Sequence, residues 1–248
     1  MKSKPKTHST RQAVECDDKR MRHYISVPHL AEMLKTMRLR LSYSTNWEDV
    51  NDVTMLGVYK EHARKKGMGI ICMTGSMETS HHWSRYGGRD LKNKACVIFD
   101  AAKLRRALNR GLRQAELAKL KGEIEFKHVK YMKMQEFYKQ ASLIPIAQMP
   151  FIKRYQFQDE RERRIIWTSE VARRTVIRVP ISFESIESIL LSPWAGQRKI
   201  NKNILMIQEL MKSASNQRKI KVDKSRLLKS EDWLRACRKA VGIRSIRK

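Results

Sequence analysis

The stretch "FQDERERRIIW", residues 157 to 167, places Glu160 and Glu162 two residues apart, just ahead of the apolar run Ile165-Ile166-Trp167. In an extended backbone successive side chains alternate between faces, so Glu160, Glu162 and Arg164 would share one face. Two carboxylates held together in this way can divide electrostatic stabilisation and proton removal between them. Arg164 can keep them ionised or bind a phosphate. The competing reading is a surface ladder of ion pairs, a common arrangement for acids among arginines. His81-His82 suggests a metal pair, but no further His, Cys or carboxylate stands at ligand spacing, so no metal site is expected. Asn51-Asp52 reads as a turn cap. Trp83 and Tyr86 suit either stacking on a flat ligand or burial in a core.

These residues need a frame. "RHYIS" reads as a strand, followed by a helix that Ser26 caps and Pro28 starts, with Leu30, Met33, Leu34 and Met37 at helical spacing. "RLRLSYS" alternates as a strand, and "NWEDVND" has the content of a structured turn. "GMGIICMT" and "ACVIFD" read as buried strands, on either side of a polar stretch. Residues 101 to 121 form a helix whose exposed face is almost wholly cationic, closing near Gly122. "EIEFKHVKYM" is strand-like and leads through a helical connection to the E-x-E motif. "RRIIWTS" and "TVIRVPISF" are further strands, while residues 184–191 and 203–213 read as helices. The pattern is α+β in a single domain, 21–211, between a basic arm, 1–20, and a basic helical tail, 212–248, with Trp233 as the tail's large anchor.

Lys and Arg number 53 against 25 Asp and Glu, a formal charge of +28 at pH 7. Such an excess points to a polyanionic partner, nucleic acid before an anionic membrane, because no lipidation motif or basic stretch beside an apolar helix is present. The four cysteines, Cys16, Cys72, Cys96 and Cys237, show no C-x-x-C spacing, and Cys72 and Cys96 read as small core residues. With no apolar leader and no run of about eighteen apolar residues, a soluble, reduced, cytoplasmic protein is expected.

Read in order, the segments resemble a widespread bacterial family of unknown function. Its marks are a tyrosine-rich first strand, an Asn-Asp turn, a W-S-x-Y box and a late E-x-E-x-R. Here these are "RHYIS", Asn51-Asp52, Trp83-Ser84-Arg85-Tyr86 and Glu160-Arg161-Glu162-Arg163-Arg164. "VIFD" and "IPISFESIESILLSP" also fit, so the resemblance spans residues 22 to about 210. Val53 stands where the family favours proline, Ile25 where it favours a small hydroxyl residue, and Phe157 where tryptophan is common.

That family in turn resembles a divergent ADP-ribosyltransferase fold of the kind found in toxins that modify DNA or RNA. The resemblance implies an α+β fold with split mixed or antiparallel sheets, flanking helices, and NAD as the co-substrate. It implies an NAD site drawn from Arg22, His23, Tyr24, Ser44, Trp83, Ser84, Tyr86 and Arg164. Glu162 would stabilise the ribose cation formed as the nicotinamide bond breaks, and Glu160 would orient the acceptor or take its proton. With the charge, it implies an RNA or single-stranded DNA acceptor, RNA being favoured. A toxin in a toxin–antitoxin or anti-phage system, held by an antitoxin or other inhibitory protein, is the implied setting. The alternatives are a nucleic-acid-binding protein whose E-x-E-x-R is structural, and a nuclease.

Overall fold

The computed structural model describes residues 18–43, 45, 47–214 and 220–240. The chain begins with β1 (Arg20–Ser26), α1 (Val27–Thr36), β2 (Arg38–Ser42), α2 (Val50–His62), β3 (Gly67–Thr74) and α3 (Ser80–Arg85). It continues through β4 (Lys94–Asp100), α4 (Ala101–Leu112), α5 (Ala115–Ala118), β5 (Gly122–His128), β6 (Lys130–Met132) and α6 (Met134–Gln140). Next come β7 (Ile152–Arg154), β8 (Glu162–Ser169), β9 (Val176–Pro180), β10 (Ile186–Leu191), α7 (Gln197–Ala214), β11 (Lys221–Lys224) and α8 (Glu231–Ala240). The expected α+β class with separate sheets and flanking helices is what the structure has.

A seven-stranded sheet runs in the order β11-β10-β4-β1-β3-β8-β5, antiparallel except for the parallel pair β10–β11. Two smaller sheets accompany it, antiparallel β2–β9 and parallel β6–β7. Alternation along the strands sends side chains to the two faces of the sheet. Val97 and Phe99 of β4 and Ile165 and Trp167 of β8 pack with Leu30 and Leu34 of α1, Leu104 and Leu108 of α4, and Ile200 and Ile207 of α7. Ile166 of β8 and Met68 and Ile70 of β3 face the other way, against Leu56 and Tyr59 of α2. Spacing of three and four residues puts Asp52, Leu56 and Tyr59 on one buried face of α2. A charged residue therefore enters the sheet on the same face as the apolar ones.

The first helix starts as read, with Ser26 accepting from the His29 amide and Pro28 in its first turn. Four segments differ. "NWEDVND" opens a helix: Asp49 is the cap, accepting from the Asn51 and Asp52 amides at 3.2 and 3.3 Å. The helix read over 101–121 breaks into α4 and α5. Residues 186–191 are a strand, not a helix, lying between β4 and β11, and a register irregularity between Ile186 and Ser188 interrupts their alternation. A short apolar run with broken alternation carries no period that separates strand from helix. The segment read as a helical tail adds a strand as well, β11, with Ile220 buried at its start. The arm up to residue 17 lies outside the described residues. Among those described, no helix is long and apolar enough to cross a membrane.

Gly122 allows β5 to close on β8: a Cβ there would stand 1.9 Å from Nε1 of the buried Trp167. Gly122→Ala should therefore cost about 1–3 kcal/mol through overpacking. Urea unfolding should show a lower midpoint at unchanged slope, and a midpoint equal to wild type would mean that the two strands separate freely.

Candidate active site

β1 is paired with β4 along its whole length, from Arg20↔Asp100 to Ser26↔Lys94. Its other edge meets β3 in register only at Arg22↔Thr74. Past that point the sheet splits, and a cleft of about 510 Å³ opens between His23 and Ile25 on one strand and Ile71 and Cys72 on the other. Trp47, Cys72 and Tyr86 also line an adjoining cavity of about 340 Å³, whose far walls are Asp52, Lys153, Glu160 and Glu162. His23 and the E-x-E carboxylates thus bound two adjoining cavities with a common wall. His23 Nδ1 lies 3.3 Å from the Cys72 carbonyl. A carbonyl only accepts, so Nδ1 carries the proton and Nε2 is left as an acceptor.

At the far end the carboxylates meet two cations. Arg164 Nε donates to Glu162 Oε1 at 2.7 Å, its Nη2 to Asp52 Oδ2 at 2.6 Å, and its Nη1 to the Pro150 carbonyl at 2.7 Å. Lys153 Nζ donates to Glu160 Oε2 at 2.6 Å and to Glu162 Oε2 at 3.2 Å. Glu160, Glu162 and Arg164 are 1%, 2% and 0% exposed, so this is a buried network and not a surface ladder. Burial by itself would push the Glu162 carboxyl up, but Arg164 and Lys153 outweigh it and hold it at about 2. Burial wins at Asp52, whose carboxyl is raised despite Arg164. Three carboxylates face two cations, so the cluster carries a net charge of −1 when all are ionised.

Glu160 is not on the strand. It ends a 3-10 segment, Tyr155–Glu160, and Arg161 turns through a left-handed conformation (φ 43°, ψ 49°) before β8 begins at Glu162. The turn is pinned from behind. Thr74 Oγ1 donates to the Arg161 carbonyl at 3.3 Å, and His82 Nε2 donates to the Glu160 carbonyl at 3.2 Å. Thr79 Oγ1 donates to His82 Nδ1 at 2.9 Å, which fixes the neutral tautomer. His82, half of the apparent metal pair, is therefore a strut under Glu160. Tyr131 supports the other side, its hydroxyl accepting from the Glu162 amide at 2.7 Å.

The remaining sequence candidates divide. Tyr86 lines the cleft, with a buried hydroxyl that has no hydrogen-bond partner of good geometry among the described residues. Tyr24 is buried in the same wall, edge-on to Trp83 at 5.1 Å. Trp83 is fully buried and donates to Glu78 at 3.0 Å, so it is core and not a stacking surface. Ser84 bonds within its own helix to the His81 carbonyl, away from the cleft. Arg22 turns away too, donating to the Ser76 carbonyl at 2.9 Å where the sheet splits. Arg164 bonds carboxylates and no open space, so it is not placed to take a phosphate. Cys72 is half-buried on the cleft wall, whereas Cys96 is core as read. Ser44 and Cys16 lie outside the described residues.

Three site residues escape sequence reading. Asp52 reads as a turn cap. Lys153, in "FIKRYQF", gives no signal beyond being a cation between apolar residues. Gly87 takes a left-handed φ of 78° and brings its backbone against Ile25 of β1, where a Cβ would lie 3.1 Å from the Ile25 amide; the Gly87-Gly88 pair after the W-S-x-Y box is its signal.

The site makes stability depend on pH in two separate windows. Burial pushes His23 down to about 4 and also lowers His82. The unfolded chain protonates these histidines near pH 6.5, before the folded one does, so their contribution is lost as pH falls from about 6.5 towards 4. The Glu162 contribution is lost only below about 4.5, as pH falls towards 2. Asp52 works in the opposite sense, but a comparison of two proteins that both carry it cancels the effect. His23→Asn should flatten the fall in Tm between pH 6.5 and 4.5. Melts that fall equally in both proteins would show that His23 is not held neutral.

No protein-family model matches the chain, and no curated protein matches its sequence. Thermus sp. 2.9 DarT in complex with ADP-ribosylated ssDNA matches at 10% identity over 87% of this chain and 95% of that chain, with a TM-score of 0.41. The same protein in complex with NAD+ matches at 10% identity over 87% and 96%, with a TM-score of 0.40. In complex with carba-NAD+ it matches at 11% identity over 87% and 97%, with a TM-score of 0.38. A likeness of this size carries no weight for what this chain binds or does.

Proposed function

We propose that the chain is an NAD-dependent ADP-ribosyltransferase that modifies single-stranded nucleic acid, RNA or DNA, as a toxin under the control of an inhibitory partner. The observation that carries the reading is the pair of adjoining cavities running from the split between β1 and β3 to two buried carboxylates. Arg38, Arg40 and Arg178 line the cleft and suit the diphosphate of NAD, Arg38 and Arg178 in exchange for their half-exposed ion pairs with Glu116 and Glu32, and neutral His23 suits a ribose hydroxyl, which it would accept from through Nε2. Breaking the nicotinamide–ribose bond leaves positive charge on the ribose, and nicotinamide departs with the bonding electrons. Glu162, held ionised, places negative charge at that end. Glu160, on its own pinned turn, would take the proton that the acceptor loses as it bonds to the ribose. The cationic surface would gather the acceptor strand: Arg106, Arg110 and Arg113, at spacings of four and three, form an exposed stripe along and just past α4.

One observation favours a second reading. Both carboxylates are nearly enclosed and already bonded to Lys153, as in a structural ion network of a nucleic-acid-binding protein without activity. Incubation with labelled NAD, with RNA, DNA and protein pools then separated, tests between them. As a transferase, wild type should release nicotinamide and label a nucleic-acid pool. Glu162→Gln, checked for fold by circular dichroism, should lower NAD turnover a hundredfold or more. Glu160→Gln should reduce transfer to the acceptor more than NAD hydrolysis. Equal turnover in wild type and folded Glu162→Gln would remove the mechanism, and no turnover in either would leave the structural reading.

The acceptor surface has its own measurement. Replacing Arg106, Arg110 and Arg113 together by alanine should weaken binding of a single-stranded oligonucleotide. The slope of log K against log salt should flatten by about 0.7 for each phosphate that the protein no longer neutralises. An unchanged slope would place the strand on another face.

A further inference from the structure

We propose that a recess on the face of β8 opposite Glu162 binds a phosphate group of a nucleic-acid strand, and that the Asp18 carboxylate holds its place. The recess has a volume of about 370 Å³ and lies between the start of β1, the end of β5 and the first turn of α4. Asp18, Met21, Arg105, Phe126, His128 and Arg163 are among its walls. Alternation along β8 turns Arg163 away from the side that Glu162 and Arg164 share. Register then sets His128, at the end of the edge strand β5, directly across from it.

Arg163 is fixed in the manner of an anion receptor. Its side chain is 6% exposed, its Nη1 donates to the Asp18 and Arg20 carbonyls at 3.3 and 3.4 Å, and its Nη2 donates to Asp18 Oδ1. Gly75 makes room for it, since a Cβ there would stand 2.8 Å from the guanidinium carbon. Carbonyls satisfy donors but leave the charge in place, so a guanidinium buried this far calls for an anion. His128 Nε2 stands 3.6 Å from the same Asp18 oxygen. On the α4 side, the Arg105 guanidinium rests 4.9 Å from the centroid of the Phe126 ring, which holds it at the wall.

Asp18 meets this set as a stand-in. Its side chain is 78% exposed, and an ion pair with so exposed a partner is cheap to break. It is the one acid among the described lining residues, against Arg105, Lys127 and Arg163. Lys127 is paired with Glu125, which leaves Arg105 in excess. A phosphodiester carries the same single charge on oxygens arranged as a tetrahedron, so it can engage Arg105 as well as Arg163. Arg105 is followed on α4 by Arg106 and Arg110 of the exposed stripe, which favours a strand over a free anion as the source. That the strand is the acceptor rests on the transferase reading; its binding does not.

Calorimetric titration of the full chain with a thymidine dinucleotide, inorganic phosphate and thymidine, at low fixed salt and without NAD, tests the assignment. The dinucleotide should bind through its phosphodiester, and thymidine should not bind. Asp18→Asn keeps an oxygen that accepts from Arg163 but removes the competing charge, and should tighten the dinucleotide about tenfold. Arg105→Ala should weaken it about tenfold. Both residues are exposed, so neither substitution burdens the fold. Glu209→Gln adds the same net charge at an exposed position of α7 and should leave the affinity as in wild type. Thymidine that binds as tightly as the dinucleotide, an affinity unchanged by Asp18→Asn, or equal tightening by Glu209→Gln would overturn the proposal. Inorganic phosphate that responds to both variants while the dinucleotide does not bind would overturn the strand and assign the recess to a free anion. Dinucleotide binding that responds to both variants, in a protein that never cleaves NAD, would retain the receptor and remove the transferase. NAD cleavage with a dinucleotide affinity blind to both variants would do the reverse.

Discussion

The guanidinium of Arg164 is the group on which the site depends. It is fully enclosed, and a buried cation is tolerated only when its charge and its donors are met. Meeting them recruits three parts of the chain: Glu162 from its own strand, Asp52 from α2 and the Pro150 carbonyl from the segment ahead of β7. Lysine could not do this, since one point charge on a flexible stem lacks the fixed fork that reaches in three directions. Once α2 and β7 are drawn to β8, Lys153 arrives at the carboxylates and the cavity walls follow.

The electrostatics run on two scales. The chain as a whole carries +28, which draws in a polyanion from a distance and is weakened by salt. The buried cluster carries the opposite sign, one charge in excess, inside a region that salt screens much less. A basic protein that keeps a small negative spot at the end of a cleft can concentrate an anionic substrate and still favour positive charge at one atom of it.

Much of the frame is legible in the sequence because its signals are local. The cap at Ser26, the apolar runs of β3, β4 and β8, and the cationic face of α4 each declare themselves within a few residues. The carboxylate pair is legible as a pair but not as a shape. Period two places Glu160 and Glu162 on one strand, whereas the left-handed Arg161 starts the strand after Glu160, and what unites the two acids is Lys153. Asp52 and Lys153 could not be found, because their role lies in contacts with residues far along the chain: Arg164 is 112 residues from Asp52. Trp83 shows the converse. Its motif is legible, yet a tryptophan that finds an acceptor for its indole N–H can be buried as completely as a leucine.

The split in the sheet has a physical cause of the same non-local kind. A β1 that continued to pair with β3 would close the cleft. Instead Arg22 spends its donors on the Gly75–Ser76 carbonyls just past the end of β3, and the His23 ring lies against the Cys72 carbonyl on the β3 side of the gap. Side-chain donors thus stand where ladder amides would otherwise stand, so the strands can part without leaving that carbonyl unsatisfied. An aliphatic residue at position 23 would offer no donor, and the exposed carbonyl would favour closing the sheet. The histidine therefore bears on the existence of the cleft as well as on what lies in it, which ties the polar residues of the central strand to the architecture it permits.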